Sequence, residues 1–148
     1  MAKHIWKQKQ PVAAEKPPSG KAPRIAFDPN DVRNRRPAWR FSVMDFEGPF
    51  HCNVDGTTAM NIHGKLKGFE TMSWIEIESG GSHNVSKDKL DPAAKKRLAT
   101  LKQDDVDELF SLRLTGKQRV WGIREVNVLK ILWWDPEHSV CPAPKKHT

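Results

Sequence analysis

The stretch that decides the fold is LFSLRLTGKQRVWGIREVNVLKILWW, residues 109–134. It contains three apolar runs with strand-like composition: 109–114, 119–124 and 128–134. Thr115-Gly-Lys117 supplies turn chemistry between the first two runs, and a short Glu-Val-Asn link separates the second from the third. Strands joined by such short turns pair as neighbours, so this stretch predicts a three-stranded antiparallel meander.

One further strand is predicted upstream of the meander. Residues 40–46 alternate apolar with polar side chains for most of their length, as a half-buried strand does, and Gly48-Pro49 then signals a turn. Added to the meander, this strand gives a four-stranded antiparallel sheet.

Two helical segments are predicted between the first strand and the meander. Asp55 can cap a helix in which Ile62, Leu66 and Phe69 recur at helical spacing. Gly64 and Gly68 weaken that helix by ~1 kcal/mol each relative to Ala, and a break at Gly68 with a second helical turn from Thr71 is expected. Asp91-Pro92 suits a cap and first helical position for a helix ending near Leu101. The sequence therefore predicts an α+β domain with two or three helices packed on one face of the sheet.

Charge is distributed unevenly along the 148 residues. The net charge is +7, of which residues 1–37 carry +6 and residues 38–148 carry +1. The first segment also holds six of the eleven prolines and few large apolar side chains, so it cannot bury enough surface to offset the entropy of ordering. We therefore predict a mostly disordered basic extension over 1–37, a linker or a polyanion-attracting tail, and a globular domain over 38–148 that ends in a short basic tail.

Composition also excludes several classes of protein. No stretch has the ~18 apolar residues of a membrane span, and no apolar block follows the basic residues at the start of the chain, as it would in a secretory signal. Cys52 and Cys141, with His51 and His138, lack the close-spaced ligand pairs of zinc motifs. We expect a cytoplasmic protein without a metal, a small-molecule cofactor or a membrane partner.

The last third of the chain resembles a known family. The run Leu112-Arg-Leu-Thr-Gly-Lys-Gln-Arg-Val-Trp-Gly-Ile123, then Val128-Leu-Lys-Ile-Leu-Trp-Trp134 and a His beyond the final strand, is similar to the RelE/ParE toxin superfamily. The predicted order of strand, two helices and three strands matches as well. The resemblance implies a RelE-like fold and a cognate antitoxin partner. RelE-like members are ribosome-associated, metal-independent mRNA endoribonucleases, whereas ParE-like members inhibit DNA gyrase by binding.

The resemblance also implies three catalytic candidates. Arg119 matches the arginine that stabilises the phosphate in the family's nucleases, Arg113 matches the arginine of the preceding strand, and His138 matches a histidine beyond the last strand. Arg suits phosphate because its planar fork binds two oxygens and stays protonated, and an imidazole can act as acid or base near neutrality. Equally, the arginines could simply be solvent-exposed residues at a sheet edge. His138 could be an ordinary loop residue, because Asp135-Pro-Glu137 separates it from the end of the last strand. Asp107 and Glu108 are the general-base candidates, but solvated acids are commoner there.

Several other residues are candidates for binding RNA: Lys117, Arg124, Lys130, Trp134, Lys145 and Lys146. An exposed Trp134 or Trp121 would stack on a base, and a buried one would belong to the core. Strict alternation puts Trp121 on the same side of its strand as Arg119, which leaves open which face meets the helices.

The leading functional hypothesis is a toxin-type mRNA endoribonuclease acting with the ribosome. A ParE-like inhibitor that binds a protein target is the main alternative, and a nucleic-acid-binding accessory domain without activity is the third.

Overall fold

The computed structural model describes residues 29–142, which form an open, mixed five-stranded sheet with helices. Its helices are α1 (Pro29–Asn34), α2 (Gly56–Phe69), α3 (Trp74–Ser79) and α4 (Pro92–Thr100), with a 3₁₀ turn at Lys87–Lys89. Its strands are β1 (Ala38–Arg40), β2 (His83–Ser86), β3 (Glu108–Arg113), β4 (Arg119–Glu125) and β5 (Val128–Asp135), in the spatial order β1-β5-β4-β3-β2. No helix in this part of the chain is long and apolar enough to cross a bilayer.

The predicted α+β class is confirmed, but the predicted four-stranded antiparallel sheet is wrong in strand number and orientation. The additional strand, β2, pairs antiparallel with β3 at one edge. Only Val85 among its four residues is buried, so its sequence carries no apolar alternation. At the other edge β1 pairs parallel with β5. The meander itself is confirmed as β3, β4 and β5.

The predicted strand over 40–46 is wrong, because β1 ends at Arg40 and residues 41–54 run irregularly beside β5. Asp45 explains the difference, since its side chain points inward to Arg97 of α4 and to the indole N–H of Trp133. The Asp45 main-chain N–H donates to the Leu132 carbonyl at 3.0 Å. The alternating pattern in these residues therefore does not indicate a strand, because the buried carboxylate of Asp45 holds the segment in an irregular conformation.

Local capping chemistry explains why the helices begin where the sequence predicts. The Asp55 side chain accepts a hydrogen bond from the Thr58 N–H and caps α2, and Asp91 accepts from the Ala93 N–H and caps α4. A break after α2 is present as well, although α2 ends at Phe69 and α3 begins at Trp74 and not at Thr71. The start of α3 is set by Ser73, which forms a reciprocal capping box with Glu76.

Helices cover both faces of the sheet, which corrects the prediction that they pack on one face. One core cluster joins α4 to the sheet face that carries Leu109, Trp121 and Trp133; we call this the α4 face. The other joins α2 and α3 to Phe110, Val120 and Trp134, on the α2 face. Successive strand residues point to opposite faces, and in β3 and β4 the residues on both faces are apolar. Trp121, on the same side of β4 as Arg119, therefore belongs to the core of the α4 face.

The C-terminal part of the predicted basic extension is structured. α1 is helical, and Arg33 at its end pairs with Glu78 of α3 at 3.0 Å. The main-chain N–H of Trp74 donates to the Arg35 carbonyl, which joins the segment before β1 to the start of α3. Residues 1–28, where most of the predicted extension falls, lie outside the described residues.

The two-residue loop of the β4–β5 hairpin contains a strained residue. Val126 has φ +58°, although it is β-branched, and its side chain is half exposed. Left-handed backbone costs an L-residue roughly 1–2 kcal/mol, and glycine adopts it freely. We expect Val126→Gly to raise the free energy of unfolding by about 0.5–1 kcal/mol, measured by urea denaturation. Val126→Ala, which keeps a Cβ atom, should gain less; a less stable glycine variant would contradict the assignment of strain.

Candidate functional site

The candidate site is built at the end of the β3–β4 hairpin, where two arginines face each other across the strands. Arg113 closes β3 and Arg119 opens β4, and the two are register partners in the antiparallel ladder. Directly opposed residues of such a ladder project from the same face of the sheet. The hairpin register therefore brings the two family-matched arginines together.

Both guanidinium groups also converge on one oxygen atom. The Thr115 carbonyl accepts hydrogen bonds from Nε of Arg113 at 3.3 Å and from Nη1 of Arg119 at 2.9 Å. We call Arg113, Arg119 and this carbonyl the arginine corner. Within residues 29–142, neither arginine forms an ion pair with a carboxylate, whereas Arg33, Arg97 and Arg124 all do.

The two arginines of the corner differ in their surroundings. Arg113 is exposed, while Arg119 is buried and its Nη1 also donates to the carbonyls of Gly116 and Gln118. Burial, and then the positive charge of Arg113, lower the pKa of Arg119, which Asp135 raises to a smaller extent. Arg119 thus organises the turn from inside, and Arg113 presents its charge to solvent.

Asp135 lies beside Arg119, but its carboxylate accepts its hydrogen bonds from other residues. It is the register partner of Arg119 on β5 and is completely buried. Its Oδ2 accepts from the Trp121 indole N–H and the Val140 N–H, and its Oδ1 accepts from the N–H and hydroxyl groups of Ser139. These donors are neutral, and the charge of Asp135 still acts on Arg119, whose pKa it raises. The excess positive charge of the corner therefore comes from Arg113, which forms no ion pair within residues 29–142.

His138 lies in the turn that Asp135 holds in place. The bonds from Ser139 and Val140 to Asp135 close the segment around it, and His138 itself has φ +61°. Its Nδ1 is buried without a hydrogen-bond partner in the described part of the chain. Non-glycine residues with positive φ are uncommon and often occur at functional sites. The structure thus fixes His138 three residues beyond the register partner of Arg119.

The remaining RNA-binding candidates do not join the corner as a group. Lys117, in the hairpin turn, pairs with Glu137 at 2.9 Å, with both side chains largely exposed. Lys130 pairs with Glu125. Lys145 and Lys146 lie outside the described residues.

Arg124 and Trp134 both pack against other residues on the α2 face of the sheet. The guanidinium of Arg124 lies 4.3 Å from the centre of the Trp74 ring and pairs with Glu78 at 2.6 Å. Trp134 is 9% exposed within the core. Trp121 is buried on the α4 face. For both tryptophans, the structure therefore favours the core alternative over base stacking.

Two cysteines lie near these elements, and neither has the character of a nucleophile. Burial, and then the charge of Asp45, raise the pKa of the Cys52 thiol to about 12. Burial is the largest influence on Cys141 and raises the pKa of its thiol as well. Within residues 29–142, no three His, Cys, Asp or Glu side chains are grouped so as to hold a metal ion.

An apolar cavity beside α2 was not foreseen from the sequence. It has a volume of about 250 Å³, and Phe41 and Phe46 of the irregular segment line it with 49% and 60% of their surface exposed. Ile62 and Leu66 of α2 and Trp134 of β5 line it as well. The sequence offers one signal for it, the pair of phenylalanines in residues 40–46, which the alternating pattern assigns to a strand.

Comparisons were made with protein-family models, with curated proteins and with solved structures. None of the three finds a match to this chain.

Proposed function

We propose that this protein is a RelE-like, metal-independent, ribosome-associated mRNA endoribonuclease of the toxin type. The observation that carries the proposal is the arginine corner, in which two guanidinium groups share the Thr115 carbonyl and neither forms an ion pair with a carboxylate in the described chain. Two like charges held together are unfavourable unless an anion joins them. A phosphodiester of RNA is such an anion, and its oxygens suit arginine donors.

The chemistry that we propose needs an acid–base group beside the phosphate-binding donors. The 2′-hydroxyl oxygen of the ribose attacks phosphorus and loses its proton to a base, while the bond to the 5′-oxygen breaks and that oxygen receives a proton from an acid. Arg113 and Arg119 would stabilise the additional negative charge on the phosphoryl oxygens. His138, held in its turn by Asp135, would serve as the acid or the base.

The partners that follow from this proposal are the ribosome with its mRNA, and a cognate antitoxin protein. The cytoplasm is the compartment in which this protein would meet them. The net positive charge of the chain supports binding to a polyanion, because opposite charge raises the rate of encounter.

The test is induction of the full-length chain in bacterial cells, with mapping of new mRNA 5′ ends. We expect wild-type protein to create new ends within coding sequences and Arg113→Ala to reduce their abundance at least tenfold, because it removes the solvent-facing charge of the corner. Arg113 is exposed, so this variant should fold. Arg40→Ala is the matched control, because Arg40 is an exposed arginine on β1, at the far edge of the sheet. Equal cleavage by wild type and Arg113→Ala would contradict the proposal.

A second candidate function, inhibition by binding a protein target as ParE-like toxins do, is favoured by the apolar cavity. Its exposed phenylalanines, Phe41 and Phe46, are typical of a surface that a partner covers. In the same experiment, growth arrest without new mRNA ends would support this function and overturn the nuclease. RNA binding without arrest or cleavage would instead support an inactive accessory domain.

A further inference from the structure

A second cavity has Arg113 of the arginine corner among its lining residues. It has a volume of about 390 Å³ and lies between α2 and the end of β3. Its lining residues include Gly64, Lys65, Gly68, Phe69, Met72 and Arg113. We call this cavity the glycine groove. It contains two cations and no acidic residue, and Arg113 belongs to both the groove and the corner.

The cations of the groove have no counter-ion within the described chain. Neither Lys65 nor Arg113 forms an ion pair with a carboxylate there, although Lys117 and Lys130 each do. α2 contains no acidic residue between Gly56 and Phe69 that could balance Lys65. The groove therefore favours an anionic occupant.

The two glycines of the groove are not explained by packing within the fold. Neither has a positive φ, and a Cβ atom built on either would meet nothing within 4 Å. Glycine is unfavourable inside a helix, so the fold alone would accept alanine at both positions. Both glycines line the groove, and without side chains there the backbone of a ligand can lie close to the helix.

We propose that the glycine groove binds the phosphate of a nucleotide flanking the one held at the arginine corner, so that single-stranded RNA runs along α2. This inference rests on the proposed function, because it extends the same RNA from Arg113 to Lys65. The apolar side chains of Phe69 and Met72 line the groove and would contact the sugar or base of that nucleotide.

The test measures binding of fluorescently labelled oligouridine to the full-length chain over a series of salt concentrations. We expect Lys65→Ala to weaken binding about five-fold and to reduce the slope of log affinity against log salt by roughly 0.7, the loss of one phosphate contact on a single strand. Lys67→Ala is the matched control, because Lys67 lies on the same helix, is exposed and does not line the groove. Gly64→Leu should weaken binding without lowering the melting temperature, since leucine fills the groove and favours the helix.

The possible outcomes separate the two proposals. If Arg113→Ala weakens binding but Lys65→Ala and Lys67→Ala behave alike, the groove is overturned and the arginine corner stands. If the wild-type chain does not bind oligouridine, or if Arg113→Ala has no effect, both proposals are overturned. If Lys65→Ala abolishes binding of polyglutamate and leaves RNA binding unchanged, the groove belongs to an acidic protein segment and the RNA path is wrong.

Discussion

Replacing Asp45 with Ala is expected to lower the free energy of unfolding by about 3 kcal/mol, the low end for a buried ion pair, because the carboxylate is buried while its partner Arg97 is 19% exposed. The Asp45 carboxylate accepts two hydrogen bonds from Arg97, at 2.8 and 2.9 Å, and one from the Trp133 indole N–H at 2.9 Å. Its Oδ1 also accepts from the Glu47 N–H. Alanine would leave these donors without an acceptor inside the protein, and urea denaturation measures the loss.

Two further measurements separate this network from a general effect of losing a negative charge. Asp88→Ala removes an exposed carboxylate from the 3₁₀ turn and should change stability by less than about 0.5 kcal/mol.

Burial tends to raise the pKa of Asp45, but the hydrogen bonds from Arg97, Trp133 and Glu47, with the charge of Arg97, outweigh it and hold that pKa below its usual value. Its stabilising contribution is therefore complete above the unfolded-state pKa of 3.8 and is lost as the pH falls through the lower folded-state value. The stability difference between wild type and Asp45→Ala should shrink below about pH 4; a difference that stays constant between pH 5 and pH 2 would contradict this account.

The parts of the fold that the sequence predicts are those with local causes. Asp91 followed by Pro92 begins α4, and Asp55 begins α2, because a cap acts within the first turn of its own helix. The meander is equally local, since its short turns determine which strands pair. Such features need only residues that are neighbours along the chain.

The features that the sequence did not predict depend on partners that are distant along the chain. Residues 41–54 are irregular and not a strand because the Asp45 carboxylate accepts hydrogen bonds from Arg97, 52 residues away, and from Trp133, 88 residues away. The parallel pairing of β1 with β5 likewise joins the two ends of the described chain. No periodicity over a window of ten residues carries that information.

The candidate site divides in the same way. The proximity of Arg113 to Arg119 follows from the hairpin register and could be predicted. The burial of Arg119 and the occupation of Asp135 by Trp121, Ser139 and Val140 could not, because they depend on how the chain after β5 folds back. Arg124 was a candidate for RNA binding because it is a basic residue on a strand. In the structure its guanidinium lies over the Trp74 ring and pairs with Glu78, which composition alone does not predict.

Replacing His138 with Asn is expected to reduce the rate of RNA cleavage by about 10²–10⁴, the usual contribution of a general acid or base. Asparagine is chosen because it tolerates the left-handed backbone that His138 adopts, at φ +61°, while it cannot donate or accept a proton near neutral pH. The bonds from Ser139 and Val140 to Asp135 should remain, so the turn should keep its shape. The measurement is single-turnover cleavage of mRNA on programmed ribosomes.

The same exchange at an exposed histidine provides the control. His51 lies in the irregular segment with its side chain exposed, and His51→Asn should cleave at the wild-type rate. Both variants should melt within a few degrees of wild type, because neither exchange removes buried apolar surface. A His138→Asn protein that is folded, binds RNA and cleaves as fast as wild type would remove His138 from the chemistry. The arginine corner would then need a different acid or base, and the candidates Asp107 and Glu108 would not supply it, because they lie at the start of β3, about 16 Å along the strand from Arg113.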